Sequence, residues 1–159
     1  MNPVVDYIVE EVRRQGHDVL AYDGIIRVGW MIGGWSYALV GTTNPTDKKN
    51  STPPDFEDAV KIGRLVEPYK NKEGIRTCGV RVGMRVCPKP EQVERLLTKL
   101  FESRDDLTPM EFYKEFEEIH PFVDGNGRTG KILLNWMNGS LLKPIFPPAD
   151  LFGHPIINP

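Results

Sequence analysis

Between His120 and Lys131 the chain reads His-Pro-Phe-Val-Asp-Gly-Asn-Gly-Arg-Thr-Gly-Lys, so an imidazole, a carboxylate and two cations fall within twelve consecutive residues. An imidazole can take a proton near neutral pH, and base catalysis of that kind is worth ~10²–10⁴ in rate. His120 is therefore a candidate general base. Mg²⁺ prefers one or two carboxylates together with substrate phosphates, which makes Asp124 a candidate metal ligand. Gly125, Asn126 and Gly127 form a tight turn whose small residues allow positive φ and let successive backbone N–H groups point the same way, a nest for anions. Arg128 can fork onto phosphate oxygens, and Lys131, one turn later, adds a point charge. The pattern is that of a nucleotide-handling site.

Such a site needs elements that hold it. Residues 107–119 open with Thr108 as N-cap and Pro109 at the first helical position, then carry Phe112, Phe116 and Ile119 on one apolar face. That helix should stop at His120, because the residue before a proline is pushed out of the α region. From about Arg128 the pattern is helical again, with Ile132, Leu133, Trp136 and Met137 as core positions and Asn138-Gly139 as the stop. The glycine loop therefore feeds a helix N-terminus, where free amides and the macrodipole favour phosphate. Elsewhere, apolar spacing predicts helices over residues 3–15, from Phe56 to about Pro68, and from Pro90 to Phe101. Residues 22–40 mix β-branched, aromatic and glycine residues, so helix and strand are not separable there, and burial in the core is expected. Residues 41–54 read as an exposed loop, and residues 75–86 as a β-hairpin. With Cys78-Gly79 as its turn, Thr77 would oppose Val80, Arg76 would oppose Arg81 and Ile75 would oppose Val82. Two arginines on one face suit an anion or an acidic target.

The motif resembles the Fic family, the Fic/DOC superfamily, whose signature is His-Pro-Phe-x-[Asp/Glu]-Gly-Asn-Gly-Arg-x-x-Arg. Every position but the last agrees or is free. The resemblance runs from about Asp55 to Asp150 and implies a mostly α fold, a helical bundle with a small β-hairpin flap over the active-site loop. On that basis residues 55–159 would be the core and residues 1–54 an N-terminal elaboration. It also implies transfer of AMP from ATP to a Ser, Thr or Tyr hydroxyl of a target protein, with Mg²⁺. His120 would deprotonate the target, Asp124 would hold the metal, and Gly125, Asn126 and Gly127 would cradle the phosphates. Arg128 would stabilise the leaving side, with Phe122 buried as the loop's anchor. Arg76, Thr77, Val80 and Arg81 would belong to the flap that docks the target. Gly127 favours AMP transfer over the phosphate transfer of Doc-like kinases, which usually carry Lys there. That phosphotransferase chemistry, or another phosphate-linked transfer, is the alternative, and a non-catalytic adaptor that kept the fold is a third.

Two departures shape the expectations. Lys131 replaces the final arginine, keeping charge but losing a two-pronged grip. Many family members are held inactive by a glutamate from a [Ser/Thr]-x-x-x-Glu-[Gly/Asn] helix that pairs with that arginine. No segment here fits the pattern, so self-inhibition of the usual kind is not expected, and any restraint would come from a separate antitoxin or inhibitor chain. Residues 149–159 end in prolines where a further family helix usually follows, so part of the base pocket is expected to be missing or supplied by a partner.

A chain of 159 residues should bury roughly 68–70% of its unfolded surface, enough for one real core. A net charge of −2 and a pI near 5.9 argue against general nucleic-acid or anionic-membrane binding. Cys78 and Cys87 form neither a metal pattern nor a disulfide framework, and free thiols point to a reducing cytoplasm. His17 and His154 have no metal-ligand spacing and receive no role.

Overall fold

The structure is a computed structural model and describes residues 2–42 and 51–152. The middle of the expected 41–54 loop, His154 and the end of the proline-bearing tail lie outside the described residues. The described chain is mostly helical: α1 (Pro3–Arg14), α2 (Tyr22–Gly41), α3 (Phe56–Val66), α4 (Pro90–Glu102), α5 (Pro109–Ile119) and α6 (Asn126–Met137), with one hairpin of β1 (Arg81–Val82) and β2 (Arg85–Val86). Helices α1, α3 and α5 start where short polar side chains replace missing acceptors. Asn2 accepts from Val4 N–H at 2.9 Å, while Asp55 with Asp58 and Thr108 with Glu111 close reciprocal capping boxes.

Residues 22–41, where the sequence left helix and strand open, are one helix of 20 residues. Its apolar residues run round the axis: Met31, Trp35 and Ala38 are buried, whereas Ile25, Ile32 and Val40 are exposed. No single stripe therefore marks it in the sequence, and the expectation of a wholly buried segment does not hold. A side chain at Gly34 would crowd Ile132 at 3.1 Å and Val66 at 3.2 Å, which lets α2 lie close to α3 and α6. No helix among the described residues is long and apolar enough to cross a membrane.

The core gathers Ile8, Trp35, Ile62, Leu97, Phe116 and Ile132 between the helices. Phe101 meets Phe112 edge-on, with ring centroids 5.1 Å apart, a favoured aromatic geometry. The chain after α6 is tied back by polar contacts: Trp35 Nε1 donates to Leu141 O at 2.9 Å, Tyr7 Oη to Ile145 O at 2.8 Å, and Ile145 N–H to Asn135 Oδ1 at 2.8 Å.

The hairpin is shorter than expected and differently registered. Arg81 pairs with Val86 and Val82 with Arg85, so the turn is Gly83-Met84 and not Cys78-Gly79. Gly83 supplies the positive φ (58°) that tight hairpin turns require. Arg76 consequently does not face Arg81. It is buried, and its guanidinium leaves the hairpin altogether.

Candidate active site

Helix α5 ends at His120, which adopts φ 52° and ψ 63°, a left-handed conformation that costs a non-glycine residue about 1–3 kcal/mol. Arg76 holds that turn. Its Nε donates to His120 O at 2.7 Å, its Nη2 to Ile119 O at 3.2 Å and to Pro88 O at 2.7 Å, and its own N–H to Pro121 O at 2.9 Å. Arg85, from the hairpin, donates to Glu118 O at 3.0 Å. Two guanidiniums thus sit on the carbonyl end of α5, where cations complement the helix dipole. The sequence placed Arg76 on a target-docking face, but it is an internal clamp on the candidate base. Thr77 and Arg81 are exposed and Val80 is half-buried.

The imidazole of His120 is only 3% exposed. Its Nδ1 lies 3.3 Å from Glu117 O. A carbonyl only accepts, so Nδ1 carries the proton in this contact and Nε2 is left with its lone pair. Burial pushes the histidine down to about 4, reinforced by Arg85 and Arg76 and opposed by the Glu117 contact and Asp124. The ring is neutral at pH 7, as a base must be.

The loop after it is tied internally. Asn126 accepts from Phe122 N–H at 2.8 Å and donates to Phe122 O at 2.9 Å. Its side chain is thereby occupied within the loop, and what Asn126 can offer an anion is its backbone amide. Phe122 is fully buried against Gly63, where an added Cβ would lie 2.4 Å from the ring. Asn71 donates to both Gly63 O (2.9 Å) and Asp124 O (2.8 Å), stapling the loop to the end of α3. Gly125 has φ 75°, and a Cβ there would meet Val66 at 2.9 Å, so both conformation and space call for glycine. The first i→i−4 bond of α6 runs from Thr129 N–H to Gly125 O at 2.9 Å. The amides of Asn126, Gly127 and Arg128 therefore precede it and have no acceptor within the helix.

Asp124 accepts from Gly125 N–H at 2.8 Å and from Lys70 Nζ at 2.9 Å. Burial pulls its carboxyl up, but Lys70, Arg128 and the Gly125 amide together hold it below its usual range. An ionised carboxylate is what a hard cation needs. Among the described residues no group of three or more acidic, histidine or cysteine side chains gathers into a metal cage, so one carboxylate fits Mg²⁺ only where phosphates supply further oxygens.

Arg128 is fully buried. Its Nη2 meets Glu67 Oε1 at 2.9 Å, with Asp124 Oδ1 at 3.6 Å, while Nε and Nη1 have no partner. Buried orphan donors at a helix N-terminus are prepared for an anion. Lys131 behaves otherwise. Its Nζ lies 2.8 Å from Glu11 Oε2 of α1 and is buried away from the loop, so the expectation that it joins the phosphate cradle is not what the geometry places there. No segment fits the inhibitory pattern, yet a glutamate does reach the last basic position: Glu11 does so from outside that pattern.

The sequence reading missed Glu67, Asn71, Lys70 and Arg85. Their partners lie 32 to 61 positions away, so no local spacing signals them.

The Fic/DOC family profile matches residues 53–138, more than half of the chain. A protein named protein adenylyltransferase Fic from Nematostella vectensis is 31% identical over 118 residues, covering 63% of this chain and 27% of that protein. Protein adenylyltransferase fic-1 of Caenorhabditis elegans is 30% identical over 112 residues, 59% of this chain and 22% of its own length. The chain thus spans about a quarter of the length of these curated relatives. In fold, it is similar to the crystal structure of a Fic family protein from Desulfovibrio desulfuricans G20, with TM-score 0.55 and 21% identity, covering 89% of this chain and 46% of that one. With the motif, the fold and the profile in agreement, the chain belongs to the Fic/DOC family.

Proposed function

We propose that the chain is a protein adenylyltransferase, moving AMP from ATP to a Ser, Thr or Tyr hydroxyl of a target protein. The observation that carries this reading is a neutral His120 with Nε2 unprotonated, beside a helix N-terminus where Arg128 keeps two buried donors without a partner. His120 Nε2 takes the hydroxyl proton as the target oxygen bonds to the α-phosphorus. The bond from that phosphorus to the pyrophosphate oxygen breaks, and the electron pair leaves with pyrophosphate. The amides of Asn126, Gly127 and Arg128 and the guanidinium of Arg128 meet the phosphate charge, the electrostatic contribution that dominates such transfers. Asp124 would hold Mg²⁺, which when bound neutralises phosphate charge. The names of the relatives support adenylyl transfer, and Gly127 keeps the nest open.

The exposed residues Thr77, Arg81 and Met84 on and before the hairpin offer the target a backbone edge next to His120. Pairing of an extended segment there is the docking mode that a sheet edge favours.

The test uses the chain with Mg²⁺ and ATP labelled either on adenine or on the γ-phosphate. Adenine label transferred to the chain itself or to a lysate protein, and lost in His120→Ala, is the expected result. Transfer of the γ-label alone would favour the phosphotransferase. No transfer of either, with His120→Ala indistinguishable, would leave the non-catalytic adaptor.

A further inference from the structure

Behind Arg128 lies a second arginine that the motif does not contain. Arg27 of α2 donates through Nε to Glu67 Oε1 at 2.8 Å, the same oxygen that Arg128 Nη2 meets at 2.9 Å. Glu67 is 1% exposed and Arg27 9%, so water does not screen this group. Arg27 is itself held from the other side by Asp23, through its Nη1. Residue 27 lies outside the 53–138 stretch that matches the family profile.

We propose that Arg27 and Glu67 are positioning residues for Arg128, an inference that rests on the adenylyltransferase reading of the site. One carboxylate oxygen shared by two guanidiniums is a hinge pin. Arg27 fixes the carboxylate from behind, and the carboxylate then holds Arg128 by a single nitrogen, leaving Nε and Nη1 aimed and unpaired. Were Glu67 free to rotate, it would fork onto Arg128 with both oxygens and consume the donors that phosphate needs. The second arginine prevents that by drawing on the same oxygen. A guanidinium fixed in advance avoids reorganisation at the moment charge develops. Helix α2 therefore contributes to the site without touching substrate.

The decisive variants are Arg27→Ala, Arg27→Lys and Glu67→Gln. Self-modification is followed with labelled ATP, giving a plateau rate and a half-saturating ATP concentration. The ¹⁵N–¹H cross-peak of Arg128 Nε, assigned by its loss in Arg128→Lys, is recorded without nucleotide. Arg27→Ala should lower the plateau rate at least tenfold while half-saturation moves less than threefold, and the Arg128 cross-peak should shift or broaden. Arg27→Lys should restore the rate to within about threefold of the unaltered chain. Should Arg27→Ala not fold, Glu67→Gln, which keeps shape and an acceptor oxygen, carries the same two readings. A plateau rate within twofold and an unmoved cross-peak in a folded variant would overturn the proposal. If the unaltered chain transfers no label, the adenylyltransferase reading fails, and the cross-peak still decides whether Arg27 positions Arg128.

Discussion

Helix α6 carries two buried cations one turn apart, and they are placed in opposite ways. Arg128 and Lys131 each meet a buried glutamate, at 2.9 Å and 2.8 Å. On the Arg128 side the glutamate is shared with Arg27, and two donors of Arg128 remain unpaired at the start of the helix. On the Lys131 side Glu11 is shared with Gln15 (Nε2 to Oε2, 2.6 Å), the ammonium lies 5.7 Å from the Tyr113 ring centroid, and α1 closes the space. A buried ion pair is thus not a functional signal by itself. What separates a binding site from a strut is the donor capacity left over after the pair has formed, and where that capacity points.

The widest split is expected when each cation is removed in turn. Arg128→Ala should cut AMP transfer by about 10²–10³, the scale on which one preorganised charge-stabilising donor acts. Its effect on folding should be small, because Arg27 still pairs with Glu67. Lys131→Met should do the reverse. Among the described residues Glu11 then keeps no cation within salt-bridge distance, and breaking a buried pair in that way costs about 3–5 kcal/mol. Urea melts should show that loss, while transfer measured well below the melting midpoint falls far less than in Arg128→Ala. Equal losses of transfer in both variants would erase the distinction. Adding Glu11→Leu to Lys131→Met should recover much of the stability, since apolar replacement of a whole buried pair is often neutral or favourable.

The sequence could not make this distinction, and the reason is geometric. Arg128 and Lys131 are both basic, both in the motif and one turn apart, so the linear pattern assigns them one task. Only the placement of α1 against α6 puts Glu11 on Lys131, and that contact spans 120 positions. Features set by neighbouring residues were legible: the Thr108 cap, the stop of α5 at His120 and the core face of α5 stand as the spacing implied, whereas α6 begins at Asn126 and is buried nearly all round, so Asn126 and Gly127 lie in the helix and only Gly125 of the expected turn takes a positive φ. Helix α2 was not, because apolar residues all round its axis and five glycines mask its period. Arg76 was misread for a related reason. A charged residue near a hairpin is usually a surface group, and nothing local says that its guanidinium will cap α5 44 positions downstream.

A medium effect is expected from pH, and it separates the two sides again. Burial raises Glu117 to about 7, with Lys131 opposing and Glu11 reinforcing. Because the folded value exceeds the unfolded one of 4.5, this group's contribution is fully present below pH 4.5 and lost as pH rises toward 7. The loss is about 3 kcal/mol at 1.36 kcal/mol per unit. Glu117→Gln should flatten that part of the stability curve. His120 has the opposite sign: its folded value is depressed, so its contribution is present above pH 6.5 and lost as pH falls toward 4. The acid limb of transfer, which reports the free base, should therefore lie below the ordinary histidine range and stay there in Glu117→Gln. A limb that moved in Glu117→Gln would couple the Glu117 side chain to the imidazole, beyond the contact that its backbone carbonyl makes with Nδ1.

The smallest effect tests the wall between them. Gly130 lies between Arg128 and Lys131 on α6, and a Cβ there would sit 2.7 Å from Glu117 Oε1 and 3.0 Å from Tyr113 Cε1. Gly130→Ala gains up to about 1 kcal/mol of helix propensity but overpacks a buried contact, which costs about 1–3 kcal/mol. A net loss near 1 kcal/mol in urea melts is expected, confined to the Lys131 side. The crowded atoms belong to α5 and not to the loop from Phe122 to Gly125, so half-saturating ATP should stay within twofold of the unaltered chain. A weaker nucleotide response at unchanged stability would mean that α5 transmits the displacement to Arg128, and the two cations of α6 would then have to be treated as one coupled site.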